Sequence, residues 1–155
     1  MKFHWITYDI EHKALVDSWL DDAARRFTAI DDSWRDYVQY WEDNSDSDKG
    51  EYFWSKVIAD ENEIPFGAIA VALSNDVFTI SEYVIDPQKR NKGYGSSALK
   101  ELLSESQYIV GKQITIANAV IFPSNVASQK AFEKAGFKYE STHPNGDAIY
   151  YTYTA

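Results

Sequence analysis

Cysteine does not occur in the 155 residues. Its absence excludes disulfides, thiolate nucleophiles and cysteine-ligated zinc. Histidine is scarce, and His4, His12 and His143 show no ligand spacing, so no metal site is expected. Basic residues are outnumbered, 15 against 24 acidic, for a net charge of −9. Phosphate-backbone binding needs clustered Lys and Arg, so nucleic acid is not an expected partner. Long apolar runs are also missing. The longest, Ile64 to Leu73, is interrupted by Pro65 and Gly67 and is too short to span a bilayer. No charged-then-apolar targeting segment is recognised at the start. The expectation is a cytoplasmic, soluble protein with no membrane partner.

Aromatic residues, by contrast, are plentiful: five Trp, eleven Tyr and eight Phe. They supply large buried area per side chain. A chain of this length buries roughly two-thirds of its unfolded surface and needs no covalent staple. One domain over residues 1–155 is expected, with no internal repeat or linker dividing it.

The hydrophobic pattern alternates between strand and helix periods. Phe3 to Tyr8 reads as a strand. Leu15, Trp19 and Ala23 recur at helical spacing, and Trp34, Tyr37, Val38 and Trp41 form the stripe of a second helix. Asp31-Asp32-Ser33 stands where its N-cap belongs. Asn44 to Gly50 is polar and reads as a loop. Tyr52 to Ala59, Phe66 to Leu73 and Val77 to Ile85 read as strands, joined by turns at residues 60–63 and at Asn75-Asp76. A third helix runs from Gly93 to about Ser106, and a fifth strand from Ile114 to Ile121. A fourth helix is capped by Asn125 and stopped by Gly136. Phe137 to Ser141 and Ala148 to Tyr153 flank Asn145-Gly146, a hairpin signal. The order β-α-α-β-β-β-α-β-α-β-β predicts an α+β domain with a mixed sheet.

Chemistry concentrates at the end of the fourth strand. There Val84-Ile85-Asp86-Pro87 gives way to a basic loop with Gly-x-Gly, Arg90-Asn91-Lys92-Gly93-Tyr94-Gly95, and then to a helix. A helix N-terminus presents unpaired N–H groups and the positive end of the dipole. Glycines let a bulky anion approach the backbone. The stretch reads as a cradle for the pyrophosphate of a nucleotide-like cofactor. It is neither a dinucleotide fingerprint, since Ala98 replaces the third glycine, nor a P-loop, since no Gly-Lys-Ser/Thr closes it.

A second segment, Asn125-Val126-Ala127-Ser128 through Phe132 to Gly136-Phe137, joins the first. Together they resemble the GNAT superfamily of acyl-CoA-dependent N-acetyltransferases. The first matches the family's Arg/Gln-x-x-Gly-x-Gly/Ala motif. The second matches its Asn-x-x-Ala/Ser…aromatic…Gly-Phe pattern. The resemblance extends from about Tyr52 to the end of the chain. It implies a mostly antiparallel central sheet of about seven strands with four helices, in which parallel strands four and five splay apart. It also implies acetyl-CoA as co-substrate and an amine as acceptor. Cofactor contacts would come from Tyr83, Val84 and Ile85, from the loop Arg90, Asn91, Lys92, Gly93, Tyr94, Gly95 and Ser96, and from Asn125 and Phe132. Many members have Gly where Asn91 stands, but Asn tolerates left-handed backbone. Many carry Tyr where Phe132 stands. Phe has no proton to give a departing thiolate.

Glu82 is the candidate catalytic base, with a paired structural carboxylate as the alternative. Strand alternation puts it on one face with Phe78, Ile80 and Val84, and a carboxylate there needs a cleft or a partner. The fifth strand, Ile114 to Ile121, holds no carboxylate. Acidic residues between Asp17 and Asp48 either attract a cationic acceptor or form a solvated face. The functional expectation is an N-acetyltransferase acting on a primary amine. The alternative is a non-catalytic acyl-CoA-binding or sensing module. A homodimer is an open expectation.

Overall fold

A computed structural model describes residues 2–27, 30 and 33–155, with the side chains of Phe27 and Ser47 left outside the description. Strand β1 (His4–Thr7) leads into helices α1 (Lys13–Ser18), α2 (Asp22–Phe27) and α3 (Trp34–Asp43). Strands β2 (Glu51–Ala59), β3 (Pro65–Ser74) and β4 (Val77–Ile85) follow. Helices α4 (Tyr94–Ser104) and α5 (Ser106–Ile109) precede β5 (Ile116–Ile121). Helix α6 (Val126–Lys134) and strands β6 (Lys138–Thr142) and β7 (Ile149–Thr154) complete the order. The seven strands form one sheet in the order β1-β2-β3-β4-β5-β7-β6. Every neighbouring pair is antiparallel except β4 and β5.

Six α-helices, rather than four, occur among the described residues. The expected first helix breaks at residues 19–21. The Asp21 carboxylate accepts the Ala24 N–H at 2.9 Å and restarts the chain as α2. The break also shifts the buried stripe, which is Val16, Trp19, Leu20 and Ala24, while Leu15 is exposed. The third expected helix ends as α4 at Ser104, and a separate short helix, α5, follows from Ser106. Its buried Ser106 takes the Ile114 N–H at 2.8 Å. That bond draws Ile114 away from the ladder, so β5 begins at Ile116.

Of the expected cap of α3, Asp31 and Asp32 lie outside the described residues. Ser33 performs the capping, its hydroxyl accepting the Asp36 N–H at 3.1 Å. The polar loop at 44–50 contains a short 3-10 turn, Ser47–Lys49. Asn75 and Asp76 both adopt positive φ, 50° and 67°, the signature of a tight two-residue hairpin turn.

The sheet divides two apolar layers. On one side Ile58, Ile69, Phe78, Ile80, Ala117, Ala119 and Ile121 pack with Leu99, Leu102 and Phe132 from α4 and α6. On the other, Val57, Ala68, Ala70 and Val84 pack with Val16, Trp34 and Val38 from α1 and α3.

Strand β4 changes face part-way along. Val71 pairs with Ile80, but Ala70 pairs with Glu82, which leaves Ser81 as an extra residue. This β-bulge reverses the alternation beyond it. Phe78 and Ile80 therefore belong to the α4/α6 layer, and Val84 to the α1–α3 layer. The expectation that Glu82 shares a face with Phe78 and Ile80 is corrected accordingly. A period of two holds only while the ladder is regular.

Candidate active site

The parallel ladder between β4 and β5 runs from Val77↔Ile116 to Ile80↔Ala119 and stops there, at the bulge. Past that point the strands part, and residues 82–85 keep partners only on β3. A cleft of about 450 Å³ opens between them. Its walls comprise Ser81 to Ile85 of β4, Ala119 to Ile121 of β5, Gly93, Gly95 and Ser96 at the start of α4, and Asn125, Ser128, Ala131 and Phe132 around α6. Ala23 and Ala24 of α2 close one side.

The loop entering α4 is built for a tight approach. Asn91 has φ 61° and Gly93 φ 85°, left-handed positions that Asn and Gly tolerate best. Gly93 is the N-cap of α4 and brings no side-chain hydrogen bond to it. The Ser96 hydroxyl turns back to the Gly93 carbonyl at 3.3 Å. The Tyr83 hydroxyl donates to the Gly95 carbonyl at 2.8 Å, fixing the first turn of α4 against β4. Burial pushes the pKa of that hydroxyl well above its ordinary value.

The expected cofactor residues divide by position. Tyr83, Val84, Ile85, Arg90, Asn91, Gly93, Gly95, Ser96, Asn125 and Phe132 all line the cleft. Tyr94 does not line it. Its ring packs on Phe66, 4.9 Å between centroids, and lies under the Lys89 ammonium at 5.4 Å. Lys92 is exposed and outside the lining. Arg90 directs its guanidinium to Asp21 at 3.0 and 3.2 Å and its Nε to the Ile85 carbonyl at 3.1 Å. Asn125 caps α6, accepting the Ser128 N–H at 3.2 Å.

Lys130 and Lys134 also line the cleft. They were not singled out from sequence, although their i, i+4 spacing downstream of Asn125 places them on one helix face. With Lys89 they gather positive charge at the cleft of a chain whose net charge is −9.

Glu82 is buried and lines the cleft beside the bulge. Facing it is Tyr37 of α3. Burial, and then the Glu82 carboxylate, push the Tyr37 hydroxyl well above its ordinary pKa, while hydrogen bonding from Ser81 and Trp41 opposes them. The Tyr37 ring meets Phe53 at 6.3 Å, and Trp41 stacks on Phe53 at 5.9 Å. Phe132 is buried, edge-on to Tyr83 at 6.1 Å and to Phe137 at 5.0 Å. In the last strand, Tyr151 donates to Glu133 at 2.9 Å. Among the described residues, no group of three or more metal-ligating side chains occurs, and no helix is long and apolar enough to cross a membrane.

Parted parallel strands, a glycine-bearing loop that lines the gap as it enters α4, and a capping Asn on α6 form one connected site. The chain matches the acetyltransferase (GNAT) family over residues 9–137. It belongs to that family. Among curated relatives, it is 32% identical over 95 residues to the L-2,4-diaminobutyric acid acetyltransferase of Halalkalibacterium halodurans, a match that covers 59% of this chain and 49% of that protein. It is 27% identical over 93 residues to the uncharacterized N-acetyltransferase YfmK of Bacillus subtilis, 60% of each chain. The matched stretch thus spans about half the length of the first relative.

Among solved structures, the aminoglycoside acetyltransferase AAC(6')-Ib in complex with acetyl-CoA superposes with a TM-score of 0.74 at 19% identity, covering 99% of this chain and 94% of that one. A spermidine N-acetyltransferase from Vibrio cholerae gives 0.71 at 12% identity, covering 98% and 93%. At such identities the likeness is one of fold. It establishes the seven-stranded GNAT sheet with its parallel β4–β5 pair.

Proposed function

We propose that this GNAT chain, acting as one domain over residues 1–155, transfers an acetyl group from acetyl-CoA to a primary amine. The observation that carries the reading is the parting of β4 and β5 at Ile80 and Ala119. It frees one backbone edge of residues 82–85 along the cleft. A pantetheine arm can pair with such an edge as an added strand does. The pyrophosphate would lie on the loop N–H groups from Asn91 to Ser96, at the positive end of the α4 dipole. Lys89, Lys130 and Lys134 would balance the cofactor's remaining phosphate charge. Asn125 would add a contact from its capping position.

The chemistry requires a free amine. An alkyl ammonium has a pKa of ~10.4, so only about one molecule in 10³ is unprotonated at pH 7. Glu82 is the group in the cleft suited to take that proton, directly or through one water. The amine nitrogen then attacks the thioester carbonyl, whose oxygen is polarised by a backbone N–H near Val84. The carbon–sulfur bond breaks, CoA leaves as a thiolate, and the nitrogen passes its remaining extra proton to that thiolate or to water, which leaves the neutral amide. A thiol pKa near 8.5 lets the thiolate leave without a dedicated acid, consistent with Phe132 having no proton to donate.

The acceptor is proposed to be a cationic primary amine. The Glu82 carboxylate in the cleft supports that class, as does the relative named for L-2,4-diaminobutyric acid. A second reading, an acyl-CoA-binding or sensing module without turnover, is favoured by one observation. Phe132, buried against Tyr83 and Phe137, replaces the hydroxyl that many GNAT enzymes use.

Two measurements test the proposal. CoA at ~100 times its dissociation constant should stabilise the fold by ~2.7 kcal/mol. That corresponds to a rise in Tm of roughly 5–10 °C. No rise with millimolar CoA, alongside a clear rise with NAD or ATP, would reject the cofactor. Thiol release from acetyl-CoA across a panel of primary amines then separates the enzyme from the sensing module.

A further inference from the structure

Arg90 and Asp21 form the longest-range ion pair among those described, 69 residues apart in sequence. The contact is a two-point fork. One terminal nitrogen meets Asp21 Oδ2 at 3.0 Å and the other meets Oδ1 at 3.2 Å. The third edge of the guanidinium, Nε–H, donates to the Ile85 carbonyl at 3.1 Å, where β4 ends. Asp21 is equally committed, because its Oδ1 also accepts the Ala24 N–H and so caps α2. Burial works against the Asp21 carboxylate, yet the Ala24 N–H and Arg90 outweigh it and hold its pKa below the usual value. One side chain thus connects three pieces of the site: the end of β4, the loop leading to α4, and the first turn of α2. Ala23 and Ala24 in that turn line the cleft.

We propose that Arg90 is a positioning residue, and not an anion ligand, whose forked contact with Asp21 couples the cofactor loop to the α2 wall of the cleft. The inference rests on the reading that this loop takes the CoA pyrophosphate. A guanidinium already neutralised by a carboxylate adds little attraction for a further anion. Its planar fork fixes the direction of Asp21, as a lysine ammonium could not. Ordering of residues 91–96 around a pyrophosphate is therefore transmitted through Arg90 to α2, so cofactor binding sets the wall that an acceptor meets.

The test uses the intact chain, CoA as the probe, and three variants: Arg90→Ala, Arg90→Lys and Asp21→Asn. Asn retains the oxygen that caps Ala24, so α2 keeps its N-cap. Amide exchange is followed with and without saturating CoA. In the parent, CoA should slow exchange both at 91–97 and at 22–27. In all three variants the slowing at 91–97 should persist and the slowing at 22–27 should vanish. The dissociation constant for CoA should rise ~5-fold or more in Arg90→Ala and in Asp21→Asn. The double variant should bind no worse than either single variant, and the salt dependence of binding should stay unchanged.

An anion-ligand role predicts the opposite pairing. Asp21→Asn would free Arg90 and tighten CoA binding, while Arg90→Ala would weaken it with a shallower salt dependence. That pattern overturns the proposal. So does a parent in which CoA slows 91–97 and leaves 22–27 unchanged, a result that preserves the cofactor reading. A parent with no CoA-dependent change anywhere rejects the cofactor reading and the coupling together.

Discussion

The Tyr83 hydroxyl and the Gly95 carbonyl, 2.8 Å apart, join β4 to the opening turn of α4. Across this bond the strand edge proposed for the pantetheine arm and the loop proposed for the pyrophosphate hold a fixed spacing. Tyr83→Phe removes the bond and keeps the ring contact with Phe132. A loss of about 1 kcal/mol is expected, read as a Tm lower by ~2–4 °C. CoA affinity should fall as well, because the two binding elements lose their mutual register. A variant with the parent's Tm and CoA affinity would show the bond to be incidental.

The two loop glycines should respond differently. A Cβ at Gly95 would meet Ile85, Ala131 and Tyr83 at 3.8–4.0 Å, ordinary contact distances. Since alanine is the better helix former by roughly 0.5–1 kcal/mol, Gly95→Ala should raise the Tm. CoA binding should survive it, since the family motif accepts Ala at this position, whereas the branched side chain of Gly95→Val should weaken binding by blocking close approach of the pyrophosphate. Gly93 has open space around it but a φ of 85°, so Gly93→Ala strains the backbone and should lower the Tm. Calorimetry with and without CoA separates these outcomes. A Gly95→Val variant that binds CoA as the parent does would displace the cofactor from this loop.

Glu82→Gln keeps the shape of the side chain and removes the proton acceptor. CoA binding should survive while acetyl transfer falls roughly 10²–10⁴-fold. The acidic limb of the pH–rate profile should disappear with it. Phe132→Tyr is expected to retain turnover and to raise it at neutral pH by supplying the missing donor. Full turnover per folded molecule in Glu82→Gln would make Glu82 a structural carboxylate.

Tyr8 offers a stability test remote from the cleft. Its hydroxyl is buried without a hydrogen-bond partner. Burial, then the Asp17 carboxylate, push its pKa up to about 12. The neutral phenol is thus favoured in the folded state. Its contribution to stability is complete below pH 10, the value of an unfolded tyrosine, and is lost as the pH rises from 10 towards 12. Tyr8→Phe removes an unpaired polar atom and should leave the Tm at pH 7 unchanged or higher. It should also move alkaline unfolding to higher pH. A marked loss of stability at pH 7 would mean that the hydroxyl has a partner in solution.

Motifs whose chemistry is local were legible in the chain itself. Pro87, Asn91, Gly93 and Gly95 specify a turn and a helix start, and Asn125 specifies a cap. Each acts through its own φ or its own side-chain oxygen within a few residues. The strands from Tyr52 to Ile85 were equally legible, since their apolar runs follow from burial against layers on both faces of the sheet. The first helix was not. Its break carries a local signal that the helical spacing masked, the Asp21 cap on Ala24, and only the fork that holds Asp21 to Arg90, 69 residues away, is long-range. The face of Glu82 was also illegible. Alternation is local, but the bulge at Ser81 arises from pairing with Ala70 and Val71 on β3. The lysines at 130 and 134 acquired meaning only when α6 packed beside β4. Sequence determined which segments could bind an anion and cap a helix. Tertiary structure decided which side chains meet in the cleft, because strand register and long-range ion pairs are set by contacts that no single segment contains.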